Sequence, residues 1–119
     1  MGHQSIKGPV MIEWERVNEL RAEIGDDDFE EVVAMFLEEA DEVIARTSPE
    51  TCARDLEANL HFLKGAALNL GFTEFAMLCQ VGERRAAAGQ VDVNFAQVVQ
   101  CYFASKKALE IGQQRTDAA

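Results

Sequence analysis

The apolar residues of this chain recur at intervals of three and four rather than two, and its two Pro and most of its few Gly residues fall between the periodic stretches. That repeat places apolar side chains along one face of an α-helix, whereas a half-buried strand needs alternation. The spacing predicts a first short helix from about Glu13 to Ile24, closed by Gly25. Asp26, Asp27 and Asp28 then supply the cap and first-turn acids of a second helix, where their charge opposes the positive end of the helix dipole. Its buried stripe reads Phe29, Val33, Phe36, Ala40 and Val43. Ser48, Pro49 and Glu50 read as cap, first-turn proline and first-turn acid of a third helix that runs to about Leu70 and stops at Gly71. Thr73 is expected to cap a fourth helix, with Phe75 and Leu78 on its apolar stripe and Gly89 at its end. Asp92 or Asn94 opens a fifth, which carries Phe95, Val98, Tyr102 and Leu109 on one side.

Four long amphipathic helices joined by short connections pack most simply as an all-α antiparallel four-helix bundle, with the short additional N-terminal helix laid across one end. A chain of 119 residues has room for one domain with one core, and none for an added nucleotide-binding module. Residues 11–114 are expected to form the bundle. Residues 1–10 read as a flexible leader or cloning remnant ahead of Met11, and residues 115–119 as a frayed tail. Since four long helices complete a core within one chain, a monomer is expected.

Charge and cysteine usage narrow the partners. Lys plus Arg number 11 against 21 Asp plus Glu, a net charge of −10, which argues against nucleic acid and anionic membrane and leaves a protein partner as the better fit. No apolar run approaches the length of a membrane span, about 18 residues or more, and the first ten residues lack the charged start and apolar stretch of a signal peptide. Cys52, Cys79 and Cys101 make an odd count at wide spacing, which suits buried, reduced thiols in a soluble, cytoplasmic protein better than a disulfide framework or a Cys-x-x-Cys metal site.

His61 is the residue with the most chemistry to offer. The core stripe of its helix is Leu56, Leu60, Leu63, Ala67 and Leu70, and the centre of that stripe lies about 150° around the axis from His61. The imidazole therefore faces outward, with Lys64 and Gly65 one turn beyond it on the same face. A glycine in an exposed helix interior costs about 1 kcal/mol relative to alanine. What Gly65 offers in return is space: a phosphoryl group or another protein's surface can approach the ring, with the Lys64 ammonium in reach of phosphoryl oxygens. Leu68, seven residues from His61 and on nearly the same face, is an exposed leucine suited to docking. A lone surface histidine is ordinarily inert. A helix-interior glycine and an exposed leucine on that same face, each unfavourable without a partner, are what distinguish this one.

From His61 to Gly71 the sequence resembles the histidine phosphotransfer (HPt) domain family, whose signature is His-x-x-Lys-Gly on a bundle helix followed by a glycine at the turn. His61, Lys64, Gly65, Asn69, Gly71, Leu78 and Cys79 fall where such domains commonly carry these residues, and the helix order fits over nearly the whole chain. The resemblance implies a phosphocarrier of multistep two-component signalling, with His61 as phosphoacceptor between receiver-domain aspartates. Its expected partners are response-regulator receivers and a hybrid histidine kinase. It also implies that an acid or amide hydrogen-bonds the histidine's Nδ1, and Glu83 is the residue here. The turn lies near Gly71, ten residues after His61 and twelve before Glu83, so a rise of about 1.5 Å per residue returns Glu83 to His61's level. Gly82 departs from the family, which usually has a large apolar residue there. It either weakens the helix or permits close packing. Arg84 and Arg85 follow, and at least one is a candidate for adding positive potential near the site and touching a partner. Some related proteins form bundles between chains, so dimerisation stays open.

An ordinary imidazole, with a pKa of about 6.5, is largely neutral at cytoplasmic pH and able to attack an acyl phosphate. Phosphoryl transfer through a loose transition state needs chiefly positioning and electrostatics. No cofactor is expected on this chain, and Mg²⁺ would belong to the receiver. The sequence has no Gly-rich phosphate loop, so self-phosphorylation from ATP is not expected and the chain is read as a carrier, not an enzyme. The alternative is a non-phosphorylated helical-bundle adaptor that binds a signalling protein through the Leu68 face. A metal or haem bundle would need several inward-facing ligands, which an outward His61 does not supply.

Overall fold

The structure, a computed structural model, describes residues 11–118, with side chains through Gln113. The segment 1–10, expected to be flexible, lies outside the described residues. Five helices follow one another: α1 Trp14–Ile24, α2 Asp26–Ala45, α3 Ala53–Leu70, α4 Thr73–Ala87 and α5 Phe95–Ala118. There is no strand among the described residues, and the all-helical bundle class is as expected. The last helix runs as far as Ala118, later than the sequence reading placed its end, because no proline or capping motif interrupts the backbone after Gln113.

Glycines and local hydrogen bonds set the connections. Gly25 (φ 97°) closes α1 and at once serves as the cap of α2, so Asp26, Asp27 and Asp28 all sit inside the first turn and none of them is the cap. The start of α3 also differs from expectation. Ser48 and Thr51 close a turn of their own, with Thr51 N–H donating to the Ser48 carbonyl at 3.0 Å and Ser48 N–H to Thr51 Oγ1 at 2.9 Å. Pro49 sits inside that turn, where its fixed φ is favourable, and the helix begins only after the cap Cys52, whose position at the helix start leaves it exposed, unlike the buried Cys79 and Cys101. Thr73 is likewise the first residue of α4 and not its cap, which is Phe72, a fully buried ring. At α5 the reading held between two candidates resolves to Asn94, whose Oδ1 accepts from Gln97 N–H at 3.1 Å.

The α3–α4 turn is the most constrained point of the backbone. Gly71 adopts φ 77°, in the left-handed region, and its carbonyl accepts from Glu13 N–H at 2.7 Å. A Cβ on Gly71 would lie 2.8 Å from the Glu13 carbonyl oxygen. Gly71→Ala combines a strained φ with that collision, and we expect it to cost about 1–2 kcal/mol in urea-induced unfolding. The start of α1 is thus pinned to the hairpin. It also reaches α5: a Cβ on Gly112 would fall within the Trp14 ring, so the indole packs directly on that glycine.

The core joins all five helices. Phe29, Leu60, Leu63, Phe72, Phe75, Cys79 and Tyr102 are its most completely buried members, and the stripes read from the sequence supply most of it. Phe36, Leu78 and Phe95, placed on those stripes, are only partly buried and pack at the margin. Helices α2 and α5 run antiparallel, tied by a polar clasp. Tyr102's hydroxyl lies 2.6 Å from Asp41 Oδ1 and 3.1 Å from the Leu37 carbonyl, and Lys106 pairs with Asp41 at 3.1 Å. Burial, and then the Asp41 carboxylate, push the Tyr102 hydroxyl well above its ordinary range, so it remains a donor.

Candidate functional site

The antiparallel α3–α4 hairpin decides what meets His61. Leu60 and Leu63 are fully buried against α4, which rotates the intervening His61 outward, its side chain 69% exposed. Across the hairpin, Glu83 returns to the same level, and its Oε2 lies 2.8 Å from His61 Nδ1. Lys64, one turn along α3, places its ammonium 2.9 Å from the other oxygen of the same carboxylate, Oε1. One carboxylate therefore receives the ring on one side and the ammonium on the other.

The electrostatics of this triad fix the state of the ring. Burial, the largest single influence on Glu83, pushes its carboxyl up, but the contacts from Lys64 and His61 together outweigh it and hold the group below its usual range. Glu83 is thus ionised at neutral pH and can only accept. The Nδ1 it contacts must then carry the proton, and in the neutral ring the lone pair is left on Nε2, the outward nitrogen. The contribution of the lowered carboxyl to stability is present above the ordinary carboxylate range and is lost as pH falls through the folded-state value.

Other residues shape the surroundings. A Cβ on Gly65 would meet nothing within 4 Å, so the surface beside the ring is open. Asn69 Nδ2 donates to the Gly65 carbonyl at 3.1 Å and supports the helix at this glycine. Leu68 is 57% exposed and borders a shallow hollow with Glu13, Arg16, Gly71 and Thr73. Beneath the site, burial above all, with lesser contributions from Cys101 and Glu83, pushes the Cys79 thiol up to about 12. It stays a thiol and offers no competing nucleophile.

Gly82 resolves toward close packing. A Cβ there would lie 2.9 Å from Leu60 Cδ1 and 3.1 Å from Val93 Cγ1, so Val93, from the α4–α5 connection, occupies the room a large side chain would take. The flanking arginines do not both serve the histidine. Arg84 is exposed, but Arg85 is turned to the far side of α4, where its guanidinium forms a two-pronged pair with Asp92 at 2.5 and 3.3 Å. The reason is helical phase: Arg85 lies about 200° around the axis from Glu83. The sequence reading missed Val93 and the Lys64–Glu83 pair. The pair had a signal, since a carboxylate level with His61 is also within a lysine's reach one turn on, while Val93 in an irregular connection had none.

A family model described as Hpt domain matches residues 31–111, a span that contains His61, Lys64, Gly65 and Glu83. The chain belongs to the Hpt domain family. No curated protein and no solved structure gave a significant match. Membership places this Hpt domain in histidine phosphotransfer of two-component signalling, as a phosphocarrier rather than a kinase, interacting with receiver domains and histidine kinases. The matched span begins within α2, so α1 and its contacts with the hairpin lie outside it. Among the described residues, no three or more His, Cys, Asp or Glu residues gather as a metal site, and no helix is long and apolar enough to cross a membrane.

Proposed function

We propose that His61 carries a phosphoryl group between receiver-domain aspartates in a multistep phosphorelay. One observation carries this reading: Glu83 engages Nδ1 at 2.8 Å and so leaves Nε2 as the exposed nucleophile. In the reaction the Nε2 lone pair forms the N–P bond as the P–O bond to the receiver's aspartate breaks and that carboxylate takes the electron pair. Glu83 fixes the ring's tautomer and orientation. Lys64 offsets charge on the phosphoryl oxygens, Gly65 admits the receiver, and Leu68, with exposed Arg84, contributes to docking. Because such transfer depends on positioning and electrostatics, the Mg²⁺ and most of the catalytic apparatus belong to the receiver, and this chain needs no cofactor. It acts as a cytoplasmic monomer, with a hybrid histidine kinase as a further partner.

The test is transfer from a panel of phosphorylated receivers to the native chain and to His61→Gln, followed by intact mass and acid lability. Rapid acid-labile labelling of the native chain alone is expected, with labelling of the variant abolished and its unfolding midpoint unchanged, since an exposed side chain contributes within about 0.5 kcal/mol. A native chain that no receiver labels would favour the adaptor role instead.

A further inference from the structure

The two oxygens of Glu83 are not equivalent. Oε2 faces His61 Nδ1, whereas Oε1 is sealed from water and has the Lys64 ammonium at 2.9 Å, without an aligned hydrogen-bond donor among the described residues. The ammonium is what offsets the charge on that oxygen. Lys64 is itself only 24% exposed on its side chain, so in the unphosphorylated chain it is held toward α4 and not toward solvent above Nε2.

We propose, resting on the carrier role above, that Glu83 is a positioning residue whose charge keeps phosphorylated His61 labile, by holding a proton on Nδ1 and by competing with the phosphoryl group for Lys64. The proton balance gives the first part. When Nε2 bonds to phosphorus no proton has to leave, so the ring becomes an imidazolium with its Nδ1–H on the carboxylate. Departure of the phosphoryl group then releases neutral imidazole. A glutamine accepts the same hydrogen bond through its amide oxygen but supplies no charge, so the phosphorylated ring gives up the Nδ1 proton more easily. The leaving group is then the much poorer imidazolate. The second part follows from burial. If Lys64 swings to the phosphoryl oxygens, Oε1 stays buried but loses the cation beside it, leaving the imidazolium on Oε2 as the carboxylate's remaining counter-charge, and this opposes the swing. Both effects shorten the life of the phosphorylated state, as suits a chain that passes its group on.

The experiment phosphorylates the full chain with phosphoramidate, in which Nε2 attacks phosphorus and ammonia leaves, and follows decay by ³¹P NMR. Glu83→Gln is expected to lengthen the phosphohistidine half-life by roughly tenfold, the change that one unit in the ring's proton affinity produces. The ¹⁵N shift of Nδ1 in the phosphorylated ring should move toward the deprotonated value, which a loss of packing alone would not cause. In a Lys64→Met background the same substitution should lengthen the half-life by less, because the competition is gone. Equal half-lives for the native chain and Glu83→Gln, with the ¹⁵N shift unchanged, would overturn the proposal. Equal lengthening in the Lys64→Met background would remove the lysine's part in it. Since phosphoramidate needs no receiver, a native chain that no receiver labels would count against the carrier role separately, leaving the half-life comparison intact.

Discussion

Gly65→Ala should yield a more stable protein that transfers phosphoryl groups about a hundredfold more slowly. The two effects have separate causes. A Cβ at position 65 meets nothing within 4 Å inside the chain, so alanine brings its full helix-propensity advantage of about 1 kcal/mol and no collision. The added methyl stands on the face that also presents His61, where a receiver must bring its phosphoryl group in line with Nε2. Displacing reacting atoms by about 1 Å can cost on the order of a hundredfold in rate. Urea unfolding should show the gain and stopped-flow transfer the loss. Unchanged transfer in the stabilised variant would mean that no partner surface approaches this glycine closely.

Gly82→Leu should have the opposite character, costing about 3 kcal/mol, the upper end for an overpacked core. The side chain would enter a space already filled by Leu60 Cδ1 and the Val93 methyls, whose contacts with a Cβ alone would be 2.9 and 3.1 Å. Leu60 has no accessible surface whereas Val93 is only partly buried, so Val93 is the side chain expected to be displaced, and with it the connection that Arg85 and Asp92 fasten. Adding Val93→Ala should recover part of the loss, and a double-mutant cycle on unfolding free energies measures that coupling. Full additivity of the two substitutions would show that Val93 is not what resists the leucine. Glu83 is the next residue on α4, so any outward shift of the helix should also slow transfer.

How much of this was legible beforehand depended on whether a residue's role was local. The stripe Leu56, Leu60, Leu63, Ala67 and Leu70 was readable because helical phase alone buries it, and the same phase turned His61 outward. Gly71 was readable as a stop because its positive φ excludes most other residues. The meeting of Glu83 with His61 followed from counting rises on both sides of that turn. Ser48 and Pro49 were misplaced because a cap and a turn use the same residue types, and only the two hydrogen bonds between Ser48 and Thr51 separate them. The pairing of Arg85 with Asp92 and the seating of Val93 on Gly82 depend on the path of an irregular connection, which periodicity does not describe.

The packing of Trp14 on Gly112 gives the protein a built-in optical gauge. Trp14 is the sole tryptophan of the chain, and its indole rests on α5 while the adjoining Glu13 is bonded to the turn of the α3–α4 hairpin. Detaching α1 would lift that indole, already 38% exposed, off the backbone of α5 and further into water, so its emission colour reports the attachment of this helix. A receiver that pries α1 loose on arrival and one that leaves it seated could be told apart by fluorescence alone, with no label added.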